Sequence, residues 1–245
     1  MLTSEEKKEV SRIEGIYYMK PLLDRVGQKI KKVGLDKALD YAHEMLVASK
    51  DDVENMLDDR VSKGTIKDKS QARKSIAGAA FSNLLKYLFL KNKEVGLVRE
   101  DISITSSTKE KIFEDMVTIH VGDETQKPDM DLVIYSVDEK GAIKKCMIIS
   151  LKTSLRERAG QTYKWKLLLE IASTSNNIKD KYKISYNSAT TPIVCFATVN
   201  FYNEINNPQH KGMFKFFDNS FIGKPLNSDF ISNLSAIVDY ANNNL

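Results

Sequence analysis

"KPDMDLVIYSVDEKGAIKKCMIISLKTS", residues 127 to 154, holds two apolar, β-branched runs on either side of Asp138-Glu139-Lys140-Gly141. Runs of this kind flanking a polar, glycine-containing turn predict a β-hairpin. With the turn centred between Glu139 and Lys140, Asp131 falls opposite Ile148. The two-residue period then places Ile148, Ser150 and Lys152 on one face of the return strand, and Asp129 and Asp131 on the same face of its partner. Diagonal neighbours across such a pair lie roughly 7–8 Å apart, so a carboxylate, a hydroxyl and an ammonium converge at one end of the hairpin. Parity does not separate Asp129 from Asp131. Asp131 is the preferred member because it enters the apolar strand "LVIY" directly.

Strand-like runs also occur at "ISITSS" (102–107), "DMVTIHV" (115–121), "TPIVCFATVNF" (191–201) and "GMFKFF" (212–217), with helices expected at about 154–175 and 228–243. Upstream the grammar is helical. From Thr3 to about Val61 the apolar residues recur every three or four positions, broken at Pro21, Gly34-Leu35-Asp36 and Ser49-Lys50-Asp51. A further helix is expected over 72–94, with Arg73, Lys74 and Ser75 at its start as a candidate phosphate seat. Its small residues Ala77, Gly78, Ala79 and Ala80 predict close approach of another backbone. The fold class is α/β, a mixed central sheet flanked by helices, with a helical N-terminal region over 1–66 and the sheet-bearing domain over 67–245.

A chain of 245 residues that is 42% hydrophobic can bury a sizeable core, which excludes wholesale disorder. The net charge of +4 and pI of about 8.8 confine any nucleic-acid surface to a local patch. Cys146 and Cys195 lie in apolar runs and read as buried thiols. No apolar stretch approaches the roughly 20 residues of a membrane span, and the start of the chain lacks a signal-peptide core, so a cytoplasmic protein without membrane contact is expected. His43, His120 and His210 show no zinc spacing, and neither a phosphate-binding loop nor a nucleophile elbow occurs.

An acidic residue beside a lysine suits phosphodiester hydrolysis. The carboxylate holds a hard divalent cation that also keeps water and phosphate oxygens, while the lysine positions or deprotonates the attacking water. Four residues after Lys152 comes Arg156-Glu157-Arg158. An arginine fork matches guanine O6 and N7, and a carboxylate accepts from cytosine N4, so the triplet suits a G·C-rich core read in the major groove.

These residues resemble the type II restriction endonucleases of the PD-(D/E)xK superfamily, in particular the group that reads CC-GG cores and includes BsaWI and the EcoRII catalytic domain. That group carries an acidic residue at a strand start, then Ser-x-Lys, then a basic-acidic-basic triplet four residues after the lysine. Here these are Asp131 or Asp129, Ser150-Leu151-Lys152 and Arg156-Glu157-Arg158. The resemblance implies a restriction-endonuclease-like fold and a prokaryotic, Mg2+-dependent homodimer cutting double-stranded DNA at a palindrome as part of a restriction-modification system. It assigns metal binding to Asp131 and to Glu170 on the following helix, catalysis also to Ser150 and Lys152, and base reading to the triplet. Glu170 stands farther beyond the triplet than in the shortest members of the group. Two rival readings are a non-specific or structure-specific nuclease of the same fold and a catalytically silent DNA-binding module.

Overall fold

The computed structural model describes the chain apart from residues 108–110, 156–158, 176 and 189 and the side chain of residue 159. Helices α1 (Ser4–Glu14), α2 (Met19–Val33), α3 (Ala42–Ala48), α4 (Lys50–Ser62) and α5 (Lys69–Glu94) come first, as the three-and-four spacing predicts. Thr3 opens α1 with a capping box: its hydroxyl accepts from Glu6 N at 3.2 Å and its N–H donates to Glu6 Oε2 at 2.8 Å. There follow β1 (Ile102–Thr105), α6 (Lys111–Val117), β2 (Ile119–Val121), β3 (Glu124–Gln126), β4 (Leu132–Val137), β5 (Ile143–Lys152) and α7 (Ala159–Ser173). The last part holds α8 (Asn177–Tyr182), β6 (Ile184–Tyr186), β7 (Ile193–Thr198), α9 (Pro208–Phe214), β8 (Asn219–Ile222), β9 (Ser232–Asn233) and α10 (Ala236–Asn244).

The main sheet has the order β1-β4-β5-β7-β8-β9. It is antiparallel from β1 to β5 and parallel from β5 to β9, hence mixed as expected. A small antiparallel sheet, β3-β2-β6, stands beside it. Alternation along β5 builds two cores. Met147, Ile149 and Leu151 join the layer of α1, α2, α3, α5 and α10, whereas Ile148 packs with Trp165 and Leu169 of α7 and Phe214 of α9. Leu22, Phe81, Leu132, Ala197 and Ile237 belong to one continuous cluster, so the first 66 residues share their core with the sheet.

The β4–β5 hairpin forms with a register two residues away from the expected one. Asp138 closes the turn, its Oδ1 accepting from Lys140 N and Ala142 N at 2.9 Å, and Gly141 supplies a φ of +81°. The turn brings Val137 opposite Ile143, and a bulge then brings Ser136 opposite Lys145 and Leu132 opposite Ile149. Asp131 is therefore level with Ser150, not Ile148. The longer loop and the bulge each shift the pairing by one residue, so parity survives and the same side chains share a face.

Three local expectations are corrected. "DMVTIHV" is a strand only over Ile119–Val121; its first residues end α6, which buries Phe113 and Val117 at helical spacing. "GMFKFF" belongs to α9 and the turn after it, started by Asn207 accepting from Gln209 N and by Pro208 in the first turn; the strand is the next segment, β8. The last helix begins only at Ala236, after β9.

The close backbone approach lies elsewhere than expected. A Cβ on Gly78 would meet nothing within 4 Å, whereas one on Gly223 would stand 2.8 Å from Ala42 Cβ and 3.2 Å from Val199 Cγ1. Here the start of α3 docks on the sheet, with His43 N donating to Gly223 O at 2.7 Å. Gly223→Ala is expected to destabilise the protein by about 1–3 kcal/mol through overpacking. Gly78→Ala, inside a helix with open space, is expected to stabilise it by about 1 kcal/mol. Denaturant midpoints of the two variants should move in opposite directions.

Candidate active site

Asp131 stands immediately before β4 and Lys152 at the last residue of β5. Lys152 Nζ donates to Asp131 Oδ2 at 3.2 Å and to Asp129 Oδ2 at 2.6 Å, and its side chain is only 10% exposed. Asp131 is held from a second side, its Oδ2 accepting from Leu151 N at 2.7 Å. Its backbone stays tied to β5, with Asp131 N donating to Ile149 O at 3.1 Å. The hairpin thus brings one ammonium between two carboxylates.

Burial pushes the Asp131 carboxyl above its ordinary value, against the pull of the Lys152 charge and the Leu151 N–H, which favour the ionised form. Between the ordinary and the raised value the folded state holds more proton than the unfolded chain, so stability falls as pH rises through that window. Asp131→Asn removes the charge and is expected to melt higher than wild type at neutral pH. That advantage should vanish when the medium is taken below the ordinary carboxylate range.

Ser150 is fully buried, and Thr162 Oγ1 of α7 donates to its Oγ at 3.1 Å. Its hydroxyl therefore fastens the start of α7 to β5. A cavity of about 370 Å³ opens beside Asp129, lined also by Lys127, Gln161, Lys164 and Trp165. The lining comes from the segment before β4 and from one face of α7.

Glu170 is not brought to this cluster. Its Oε1 lies 3.6 Å from Lys166 Nζ, which binds both oxygens of Asp218 at 2.9 and 3.0 Å, and Asp218 Oδ2 accepts from Val194 N. Val194 pairs with Ile148, four residues before Lys152, so this group sits toward the other end of the parallel strands. Thr162 and Glu170 are eight positions apart on α7, about 12 Å along the axis.

Arg156, Glu157 and Arg158 lie outside the described residues. The segment leading into them is tied down by Glu204, whose Oε2 accepts from Leu155 N at 2.8 Å and Ser154 Oγ at 3.2 Å, while Phe201 N donates to Thr153 O. Asn200 orients Glu204, its Oδ1 accepting from Glu204 N at 2.8 Å, and both Asn200 and Asn203 adopt the left-handed conformation asparagine tolerates. The spacing in sequence holds no hint of this link; only the turn-forming asparagines of 200–207 mark the segment.

Helix α5 starts at Lys69, capped by Asp68, whose Oδ1 accepts from Gln71 N at 2.9 Å. Arg73, Lys74 and Ser75 consequently fall beyond its first turn rather than at its free N–H groups, and Arg73 is paired with Glu54 of α4 through Nη2 at 2.8 Å. The thiols of Cys146 and Cys195 are buried, and burial pushes Cys146 up to about 12.

Residues 103–240 match the family model for the BsaWI restriction endonuclease, type 2. The chain belongs to this family. The matched span is more than half of the chain and includes Asp129, Asp131, Ser150, Lys152 and the triplet. A second likeness is to "Putative type II restriction enzyme MjaVIP" of Methanocaldococcus jannaschii, 33% identical over 99 residues. That match covers 40% of this chain and 43% of the relative, less than half of either. As a BsaWI-family chain the protein is expected to need a divalent cation, and the two carboxylate oxygens converging on one cationic point are hard donors of the kind such an ion takes. Among the described residues no helix is long and apolar enough to cross a membrane.

Proposed function

We propose that this BsaWI-family chain is a type II restriction endonuclease that hydrolyses double-stranded DNA with Mg2+ at a palindromic site containing a CC-GG-type core. The observation that carries the reading is the Lys152 ammonium, nearly buried and within 3.2 Å of Asp131 Oδ2, at the end of the strand that Arg156-Glu157-Arg158 follows four residues later in sequence. Asp131 holds the cation, with Leu151 N–H fixing one of its oxygens. Lys152 orients the attacking water and, in its amine form, takes that water's proton as the water oxygen bonds to phosphorus and the bond from phosphorus to the leaving DNA oxygen breaks. When bound, Mg2+ supplies charge stabilisation at the phosphate. Ser150 acts indirectly by locking α7 to β5 through Thr162.

The triplet reads base edges, and Glu204 holds its approach segment against the β7 end, so that reading and cutting share one piece of chain. Two copies related by a twofold axis would address the two strands of a palindrome, which makes the functional unit a homodimer in the cytoplasm of a prokaryotic cell. DNA of known sequence digested with Mg2+, followed by mapping of the ends, tests the reading. Discrete fragments with a common G·C-rich core are expected. A continuous smear would favour an unspecific nuclease, and intact DNA that is nonetheless bound would favour a silent binding module.

A further inference from the structure

The proposed nuclease needs a second acidic ligand, and the helix after the catalytic strand, where the family resemblance would look for it, does not bring one. Toward the cluster α7 presents Thr162, spent on Ser150, and toward the neighbouring cavity Gln161, Lys164, Trp165 and Leu168, none of them acidic. Its carboxylate, Glu170, is engaged with Lys166 near Asp218. A carboxylate is nonetheless present. Asp129 Oδ2 is 2.6 Å from the same Lys152 Nζ that lies 3.2 Å from Asp131 Oδ2.

Resting on the endonuclease reading, we infer that Asp129 is the second carboxylate ligand of the divalent cation, so that both acidic ligands come from the segment entering β4. The two distances bound the gap between the carboxylate oxygens at about 6 Å, and Mg2+ takes oxygen ligands at about 2.0–2.1 Å, so a modest turn of one side chain suffices. Asp129 is able to turn: its side chain is 51% exposed and it precedes the strand, whereas Asp131 is fixed by Leu151 N. Mg2+ is commonly held by one or two carboxylates, with water and phosphate completing the shell, so two acids from one segment are enough. Asp129 also lines the cavity beside α7, which leaves open space on its far side for those waters and the phosphate. Lys152 serves as the resident counter-cation of the pair and swings to the water when the metal enters.

The rival is that Asp129 merely anchors Lys152. Mn2+ binding by the full chain, followed by the electron paramagnetic resonance of the free ion, separates the two, with melting curves confirming that each variant folds. Asp129→Asn and Asp131→Asn are each expected to weaken Mn2+ binding about tenfold or more, and Glu170→Gln to leave it unchanged. Mn2+ affinity retained in Asp129→Asn, or lost in Glu170→Gln alone, overturns the inference while a wild-type protein that still cuts DNA keeps the nuclease reading intact. A wild-type protein that binds Mn2+ through Asp129 and Asp131 yet cuts nothing supports the ligand assignment and sinks the nuclease reading. A wild-type protein that neither binds Mn2+ nor cuts overturns both.

Discussion

A Lys152→Ala protein is expected to fold normally and to cut DNA about 10²–10⁴-fold more slowly than wild type, the span that a positioned acid–base group contributes. The fold should survive because the side chain stands at the end of β5 and its hydrogen bonds run to the two carboxylates Asp129 and Asp131. Its loss leaves Asp129 and Asp131 facing each other without a counter-charge, which strengthens their demand for a divalent ion. The measurement is a single-turnover cleavage rate over a range of Mg2+ concentrations. If the rate stays within a few-fold of wild type at every concentration, Lys152 has no part in the chemistry. Lysine replaced by arginine should not restore the rate, because a guanidinium does not give up its proton.

The second large effect concerns stability. Glu6→Ala is expected to destabilise the chain by about 3–5 kcal/mol, the usual cost of removing one member of a buried pair. Lys93 is completely buried, and its Nζ is held at 2.6 Å by Glu6 Oε1 and at 2.6 Å by Ile102 O. Glu6 also accepts from Ser103 Oγ and caps α1 through Thr3 N, so one carboxylate joins α1, α5 and β1. Without it an ammonium remains in the core with a single carbonyl partner. Domains are stable by only about 5–15 kcal/mol, so the urea midpoint should fall markedly. The double variant Glu6→Leu with Lys93→Met should recover most of the loss, because an apolar pair of similar volume replaces a desolvated ion pair. A single variant as stable as wild type would show that the pair contributes nothing.

The central hairpin was legible because β-branched runs and a polar turn leave few alternatives, and because strand parity is robust to a two-residue shift in register. Asp131 and Lys152 were legible for the same reason. Where local pattern and tertiary packing compete, the reading failed. Val117 and Ile119 carry strand propensity, yet Phe113 and Val117 at helical spacing bury more as the end of α6. Met213, Phe214 and Phe217 look like a strand until Asn207 and Pro208 start a helix in front of them. The family resemblance points to Glu170 on the following helix, but a resemblance does not reveal which turn of α7 meets the strand end; that turn carries Thr162, which bonds Ser150. Glu204 was invisible because its partners are backbone and hydroxyl groups some fifty positions away.

The family match begins at residue 103, whereas the core does not. Leu151, whose amide grips the Asp131 carboxylate, sends its side chain into the cluster that Phe81, Leu84, Leu88 and the helices before them complete. Excised on its own, the matched segment would keep Asp129, Asp131 and Lys152 and lose one wall of the building: the apolar underside of β4, β5 and β7 would face water. The N-terminal helices are thus the scaffold's other half, and a fragment meant to fold by itself has to carry them.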